Sequence, residues 1–398
     1  MNHKKTLISA SLILLIIFGI SLGVILLVNQ QTDKVENEKN SQTSNSDRTT
    51  HSTPKEPAAK TQKELLHSMI ESMSLEEKVG QLFLARVPVE GQIESIQTNH
   101  LGGYLLFGRD VEMETPETLK EKIAAYQAAS KVPLFIASDE EGGTVSRLSL
   151  GANLVPKPFQ SPQEIYRESG LAGIRKDVQQ KAAIFHEYGI QGGLFPDADV
   201  ATDPEAFIYE RTLGLDAQKT SEYIKETVTE LKQQKIASTL KHFPGYGNNR
   251  DSHVEIVYDS RSIEELRSND FLPFQAGIAA GADSVLVSHT IVTSIDEAMP
   301  ASISKPVHDL LRNELGFQGV IMTDDMDMAG LANFISQEEA GLAALQAGND
   351  MILSSSFQEQ IPFVVQAIKQ GTYTEEAVDQ SVYRVLKMKM DLGVIDQK

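Results

Sequence analysis

Eight short apolar runs recur between residues 81 and 354, at 81–87, 103–107, 133–139, 193–200, 237–243, 284–291, 320–324 and 350–354. Amphipathic segments separate most of them, at 117–130, 176–188, 217–232, 263–280 and 337–346. The runs are continuous rather than alternating, which is the pattern of parallel strands buried on both faces. Eight strand–helix units predict an α/β fold, a TIM-like (β/α)8 barrel over residues 62–398 with a closing helix at 374–390. A doubly wound open sheet is the rival, because a sequence does not display closure.

Polar residues fall at a particular place in this pattern. Leu134-Phe135-Ile136 runs into Ser138-Asp139-Glu140, and Leu194-Phe195-Pro196 into Asp197 and Asp199. Leu240 is followed by Lys241-His242, Val285-Leu286-Val287 by Ser288-His289, and Val320-Ile321-Met322 by Thr323-Asp324-Asp325. In a barrel these are C-terminal strand ends, and they surround the mouth where barrel active sites lie. One such Asp is an ordinary helix N-cap. Five such ends predict a functional mouth.

Composition narrows the chemistry. The 398 residues contain no cysteine, which removes disulfides, thiol nucleophiles, thiolate zinc sites and iron–sulfur clusters. The formal net charge of −19 repels phosphate backbones, so no nucleic-acid partner is expected. At the N-terminus Lys4 and Lys5 precede an uncharged run of 22 residues, Leu7 to Val28. At ~1.5 Å per residue it spans roughly 33 Å, enough to cross a bilayer. Residues 1–29 are therefore expected to be an uncleaved membrane anchor with a cytoplasmic N-terminus, or a cleaved signal. Residues 30–61 are polar and too poor in apolar side chains to offset their ordering entropy, so a disordered linker is expected there. Either N-terminal reading makes the body extracytoplasmic, tethered or secreted, and a monomer is the default.

Three constellations carry chemistry. Asp324 lies one residue past an apolar strand, where a carboxylate is held rigidly enough to attack an electrophilic carbon. The alternative is that Asp324, Asp325 and Asp327 solvate a loop or bind a hard cation, although the rest of a calcium-loop pattern is missing. The second is a Gly- and Pro-punctuated loop in which Asp251 and His253 lie two apart. A carboxylate accepting from an imidazole fixes its tautomer and raises its pKa toward that of a general acid. The third is 139–147, where Asp139 and Arg147 supply an acceptor and a donor for hydroxyls, or else a salt bridge that shapes the loop.

These residues resemble a known family. Lys241-His242-Phe243-Pro244-Gly245-Tyr246-Gly247, followed by Asp251-Ser252-His253, resembles the signature of the β-N-acetylglucosaminidase (β-N-acetylhexosaminidase) branch of glycoside hydrolase family 3. Residues 139–147, 195–216 and 320–328 resemble other segments of that branch. The resemblance implies a single catalytic barrel and a retaining exo-hydrolase of terminal β-linked N-acetylglucosamine, from peptidoglycan or other amino-sugar fragments. It implies Asp324 as nucleophile, His253 as acid/base on a loop that can swing, and Asp251 as its orienting partner. Asp139, Arg147, Arg211, Lys241 and His242 would hold the sugar, with Asp199 and His289 as further candidates. It implies no cofactor and no metal.

The chain departs from the family pattern at three places. Tyr246 stands where relatives often have His or Asp, and Thr323 replaces a frequent Ser. Glu140 replaces a frequent Gln, with the expectation of a negative charge beside the sugar. Other readings are a β-glucosidase or β-xylosidase of the same family, a metal-dependent barrel hydrolase suggested by Lys241-His242 and the Asp cluster, and an inactive surface sugar-binding protein.

Overall fold

The structure is a computed structural model that describes residues 61–396 apart from Ala152 and His253. The expected anchor and the expected linker up to residue 60 lie outside the described residues. Among the described residues no helix is long and apolar enough to cross a membrane. Thr61 caps helix α1 (Gln62–Glu71): its hydroxyl accepts from the Glu64 amide, and the Glu64 carboxylate accepts from the Thr61 amide.

Eight parallel strands form the centre. They are β1 (Phe83–Arg86), β2 (Gly103–Leu106), β3 (Phe135–Ser138), β4 (Gly192–Gly193), β5 (Thr239–Phe243), β6 (Ser284–Val287), β7 (Val320–Thr323) and β8 (Ile352–Ser354). One sheet has the order β8-β1-β2-β3-β4 and a second the order β7-β6-β5. Isolated parallel bridges, Gly192↔Ala237 and Met322↔Met351, join the two sheets at both edges. Pairing therefore runs round all eight strands in a (β/α)8-like arrangement, which an open doubly wound sheet does not have.

Each expected run overlaps one of these strands, which is shorter than the run. The largest difference is at 193–200, where the strand stops at Gly193. Pro196 has no N–H for the ladder; single backbone bonds at Leu194 and Phe195 and the Asp197↔Lys241 bridge continue the pairing without a regular strand. The two glycines of β4 make room for aromatic rings. A Cβ at Gly192 would lie 2.2 Å from the Phe135 ring, and one at Gly193 2.1 Å from the Phe195 ring.

Helices α2 (Pro116–Ala129), α3 (Pro162–Tyr188), α4 (Ala217–Gln233), α5 (Phe271–Ala280), α6 (Gln337–Ala347), α7 (Phe357–Lys369) and α8 (Glu375–Asp391) surround the strands. In α4 the buried stripe is Tyr223, Ile224, Thr227, Val228 and Leu231, on the face that a period of 3.6 predicts. Each large apolar member contributes about 1.5–3 kcal/mol by leaving water. The expected helix at 263–280 is instead two, Ile263–Ser268 and α5, because Asn269 leaves helical geometry and Asp270 turns to pair with Arg261. Pro273 sits in the first turn of α5, where its missing N–H costs nothing. Likewise α3 begins well before residue 176 and is interrupted at Gly170, whose φ of +58° a glycine tolerates.

Candidate active site

A cavity of about 210 Å³ opens at the C-terminal strand ends. Arg86, Phe107, Asp139, Arg147, Arg211, Lys241, His242, Asp324, Asp325 and Met328 are among the residues lining it. Six residues expected from the sequence meet here: Asp139, Arg147, Arg211, Lys241, His242 and Asp324. A cleft of similar size at the other end of the strands, lined by Met69, Gln81 and His100, has no such cluster.

Each wall follows from local sequence. After β3 the chain makes a small antiparallel hairpin, Glu140–Gly142 against Val145–Ser146, which returns Arg147 toward Asp139. Arg147 Nη2 donates to Asp139 Oδ2 at 3.2 Å and Lys241 Nζ donates to Asp139 Oδ1 at 2.8 Å. Glu140 does not carry charge into the cavity as expected. It is fully buried and accepts from Ser138 and Ser146 hydroxyls and from the Arg147 and Leu148 amides, so its carboxylate organises the hairpin. Burial pushes its pKa up.

Consecutive strand residues ordinarily face opposite ways. In β5 the register against β6 shifts between Leu240 and Phe243, and both Lys241 and His242 reach the cavity. Lys241 Nζ is also 2.6 Å from Glu141 Oε1, while Arg211 holds Glu141 with two bonds, Nε to Oε2 at 3.0 Å and Nη2 to Oε1 at 2.7 Å. Burial opposes ionisation of Asp139 and Glu141. Lys241 and Arg147 outweigh it at Asp139, as Arg211 and Lys241 do at Glu141, and both carboxyls stay below their usual range. Burial lowers the His242 pKa. Arg211 Nη2 lies 3.1 Å from His242 Nε2, which places the lone pair there and the proton on Nδ1, 2.7 Å from Asp199 Oδ2.

Asp324 begins the loop after β7. Its amide donates to Val287 O at 2.9 Å, and its Oδ1 accepts from the Asp325 amide at 2.8 Å. The three acids here diverge. Asp325 pairs with Arg86, and Asp327 accepts from the Ser355 amide and the Ser356 hydroxyl. They do not form a calcium cradle. Burial raises the Asp325 pKa to about 6.

Other expected residues fall elsewhere. Asp199 is fully buried behind His242 and does not line the cavity. His289 is likewise behind the wall, bonded to Ser302 Oγ at 2.7 Å and the Asp325 carbonyl at 2.9 Å. Asp251 lies half-buried in the loop after β5, outside the cavity lining. His253 lies outside the described residues.

Asp197, Asp199 and His242 place one ligand atom each within 4.8 Å of one another, a spacing a metal ion could use. The donor set does not fit one. Both imidazole nitrogens are engaged, and Arg211 aims a guanidinium at the lone pair a metal would need.

The sequence reading missed Arg86, Phe107 and Glu141, and it placed Asp325 at the mouth without giving it a role in the sugar site. Arg86 was within reach, since it ends the apolar Phe83-Leu84-Ala85 as the other wall residues end theirs. With it the lining has four cations (Arg86, Arg147, Arg211, Lys241) against three carboxylates (Asp139, Asp324, Asp325), and Glu141, buried behind the lining against Arg211 and Lys241, supplies a fourth. That balance, inside a strongly acidic protein, suits a neutral ligand rich in hydroxyls.

Residues 74–388 match the Glycosyl hydrolase family 3 N terminal domain. A beta-hexosaminidase of Stenotrophomonas maltophilia is 33% identical over 262 residues, 65% of this chain and 77% of that one. Among solved structures, a glycoside hydrolase family 3 β-N-acetylglucosaminidase from Paenibacillus superposes with a TM-score of 0.76 at 28% identity, covering 81% of this chain. The match spans 63% of that longer protein. A β-N-acetylhexosaminidase from Beutenbergia cavernae gives a TM-score of 0.71 at 27% identity, covering 80% of this chain and 99% of its own.

Proposed function

The chain belongs to glycoside hydrolase family 3, and from that premise we propose that it is a retaining exo-β-N-acetylglucosaminidase acting on terminal β-linked N-acetylglucosamine. The observation that carries this reading is the convergence of Asp324 with Asp139, Arg147, Arg211, Lys241 and His242 on one cavity. In this reading Asp139, Lys241 and His242 hold the hydroxyls of the non-reducing sugar, with Arg147 and Arg211 as charged supports. The Asp324 carboxylate attacks the anomeric carbon, the glycosidic C–O bond breaks, and the electron pair leaves on the aglycone oxygen. His253, oriented by Asp251, gives that oxygen a proton. It then takes one from the water that cleaves the glycosyl ester, which returns Asp324 as carboxylate. Most retaining glycosidases use a second carboxylate here. A neutral imidazole in the second step adds no negative charge beside Asp324.

The closed barrel as a single catalytic domain, the N-terminal anchor, a place outside the cytoplasm and cell-wall fragments as natural substrate belong to the same proposal. They rest on the strand pairing at both edges and on the 22-residue apolar run.

A panel of aryl β-glycosides tests the specificity. The N-acetylglucosaminide should turn over with the highest kcat/KM, and faster turnover of the glucoside or xyloside would move the enzyme to the family's other activities. No turnover of any member would leave a sugar-binding protein.

A further inference from the structure

The loop after β5 carries a contact that neither the family pattern nor the sugar pocket explains. Tyr246, at the departure noted in the sequence, is 1% exposed, and its hydroxyl is hydrogen-bonded to the hydroxyl of the fully buried Ser252. The ring is fixed from both sides, edge-on to His242 with centroids 5.1 Å apart and edge-on to Phe207 at 4.9 Å. Its amide donates to Asp199 Oδ1 at 2.6 Å, while the other oxygen of that carboxylate takes His242 Nδ1. One buried carboxylate thus sets both the sugar-facing imidazole and the tyrosine.

Ser252 is held from the opposite side too. The Gly330 amide donates to the Ser252 carbonyl at 3.1 Å, and a Cβ at Gly330 would lie 2.4 Å from that oxygen. Gly330 lies in the short helix Ala329–Ala332 that follows Asp324, past the cavity-lining Met328. Ser252 therefore sits between the β5 wall and the β7 loop, and it is the residue that joins Asp251 to His253 in sequence.

We propose that the Tyr246 hydroxyl is a positioning group for proton transfer: through Ser252 it fixes Asp251, the residue read as orienting the acid/base, against the short helix that follows Asp324. This rests on His253 being the acid/base. Tyr246 touches neither substrate nor reacting atoms. Its effect is on the one step that needs a placed proton, and a small misplacement of a catalytic group is costly in rate. A sugar with a poor leaving group needs that proton, whereas an activated aryl aglycone departs without it.

The test compares Tyr246→Phe with Ser252→Ala, which removes the same bond from its other end, in the full chain. Substrates are N,N′-diacetylchitobiose and the 2,4-dinitrophenyl N-acetylglucosaminide. Either variant should lose roughly tenfold or more in kcat/KM on the disaccharide and less than threefold on the activated glycoside. The double variant should be no worse than the single ones, and the Kd for free N-acetylglucosamine should stay unchanged. Equal losses on both substrates, no loss on either, or additive losses in the double variant would overturn the proposal. His253→Ala, run in parallel, separates the two claims. If it spares the disaccharide, the acid/base reading itself fails; if it is selective and Tyr246→Phe is not, only the positioning role fails.

Discussion

At the scale of single residues, the floor of the cavity depends on compensated buried charge. Glu141 is 3% exposed and is held by Arg211 and Lys241. Removing Arg211 leaves Glu141 only Lys241, a cation it shares with Asp139, so one buried negative charge is no longer compensated. Arg211→Met is expected to lower the unfolding free energy by about 3 kcal/mol. Adding Glu141→Gln should recover part of that loss, because the excess negative charge goes with it. Denaturant unfolding of the two variants measures this. A loss well under 1 kcal/mol in Arg211→Met, or no recovery in the double variant, would mean the pair does not hold the floor. The same local electrostatics explain what the sequence could not show. Asp324, Asp139 and Lys241 were legible because each follows an apolar run. Asp199 and His289 follow such runs equally well, yet their side chains hydrogen-bond behind the wall, a direction that strand position alone does not encode.

At the scale of elements, the eight strands and most helices were legible from apolar continuity and from the 3.6-residue stripe. What escaped was set by partners far away in sequence. Asp270 breaks the 263–280 helix by turning to Arg261, and β4 shrinks to two glycines because Phe135 and Phe195 need the space. Lys389 on α8 is a further case. It reads as a surface lysine in a Lys-Met-Lys-Met run, yet it is fully buried, with its Nζ donating to Gln81 Oε1 at 2.8 Å just before β1. Burial lowers its pKa from 10.5 to about 7. The unfolded chain then keeps this proton up to about pH 10, while the folded chain releases it near pH 7, so stability from this site rises with pH between those values. The wild-type unfolding free energy should gain on the order of 1–2 kcal/mol between pH 7 and pH 9 relative to Lys389→Met. Lys389→Met should also be the more stable protein at pH 7. Parallel stability profiles for the two proteins would contradict the buried-amine assignment.

At the scale of the whole molecule, pairing of β4 with β5 and of β7 with β8 is what brings residues as far apart as Arg86 and Asp325 to one cavity. The acidic surface and the charge-balanced cavity are separable properties, and only the second bears on the sugar. The proposed chemistry stands or falls on Asp324 becoming esterified to the anomeric carbon during turnover. The most direct measurement is mass spectrometry of the protein after reaction with a fluorinated N-acetylglucosaminyl donor bearing a good leaving group, which slows hydrolysis of the ester. One glycosyl unit per chain is expected, on the peptide containing Asp324, and none in Asp324→Asn. A stable adduct on Asp139, Asp325 or any other residue, or an unlabelled protein that still turns the donor over with retained stereochemistry, would contradict it.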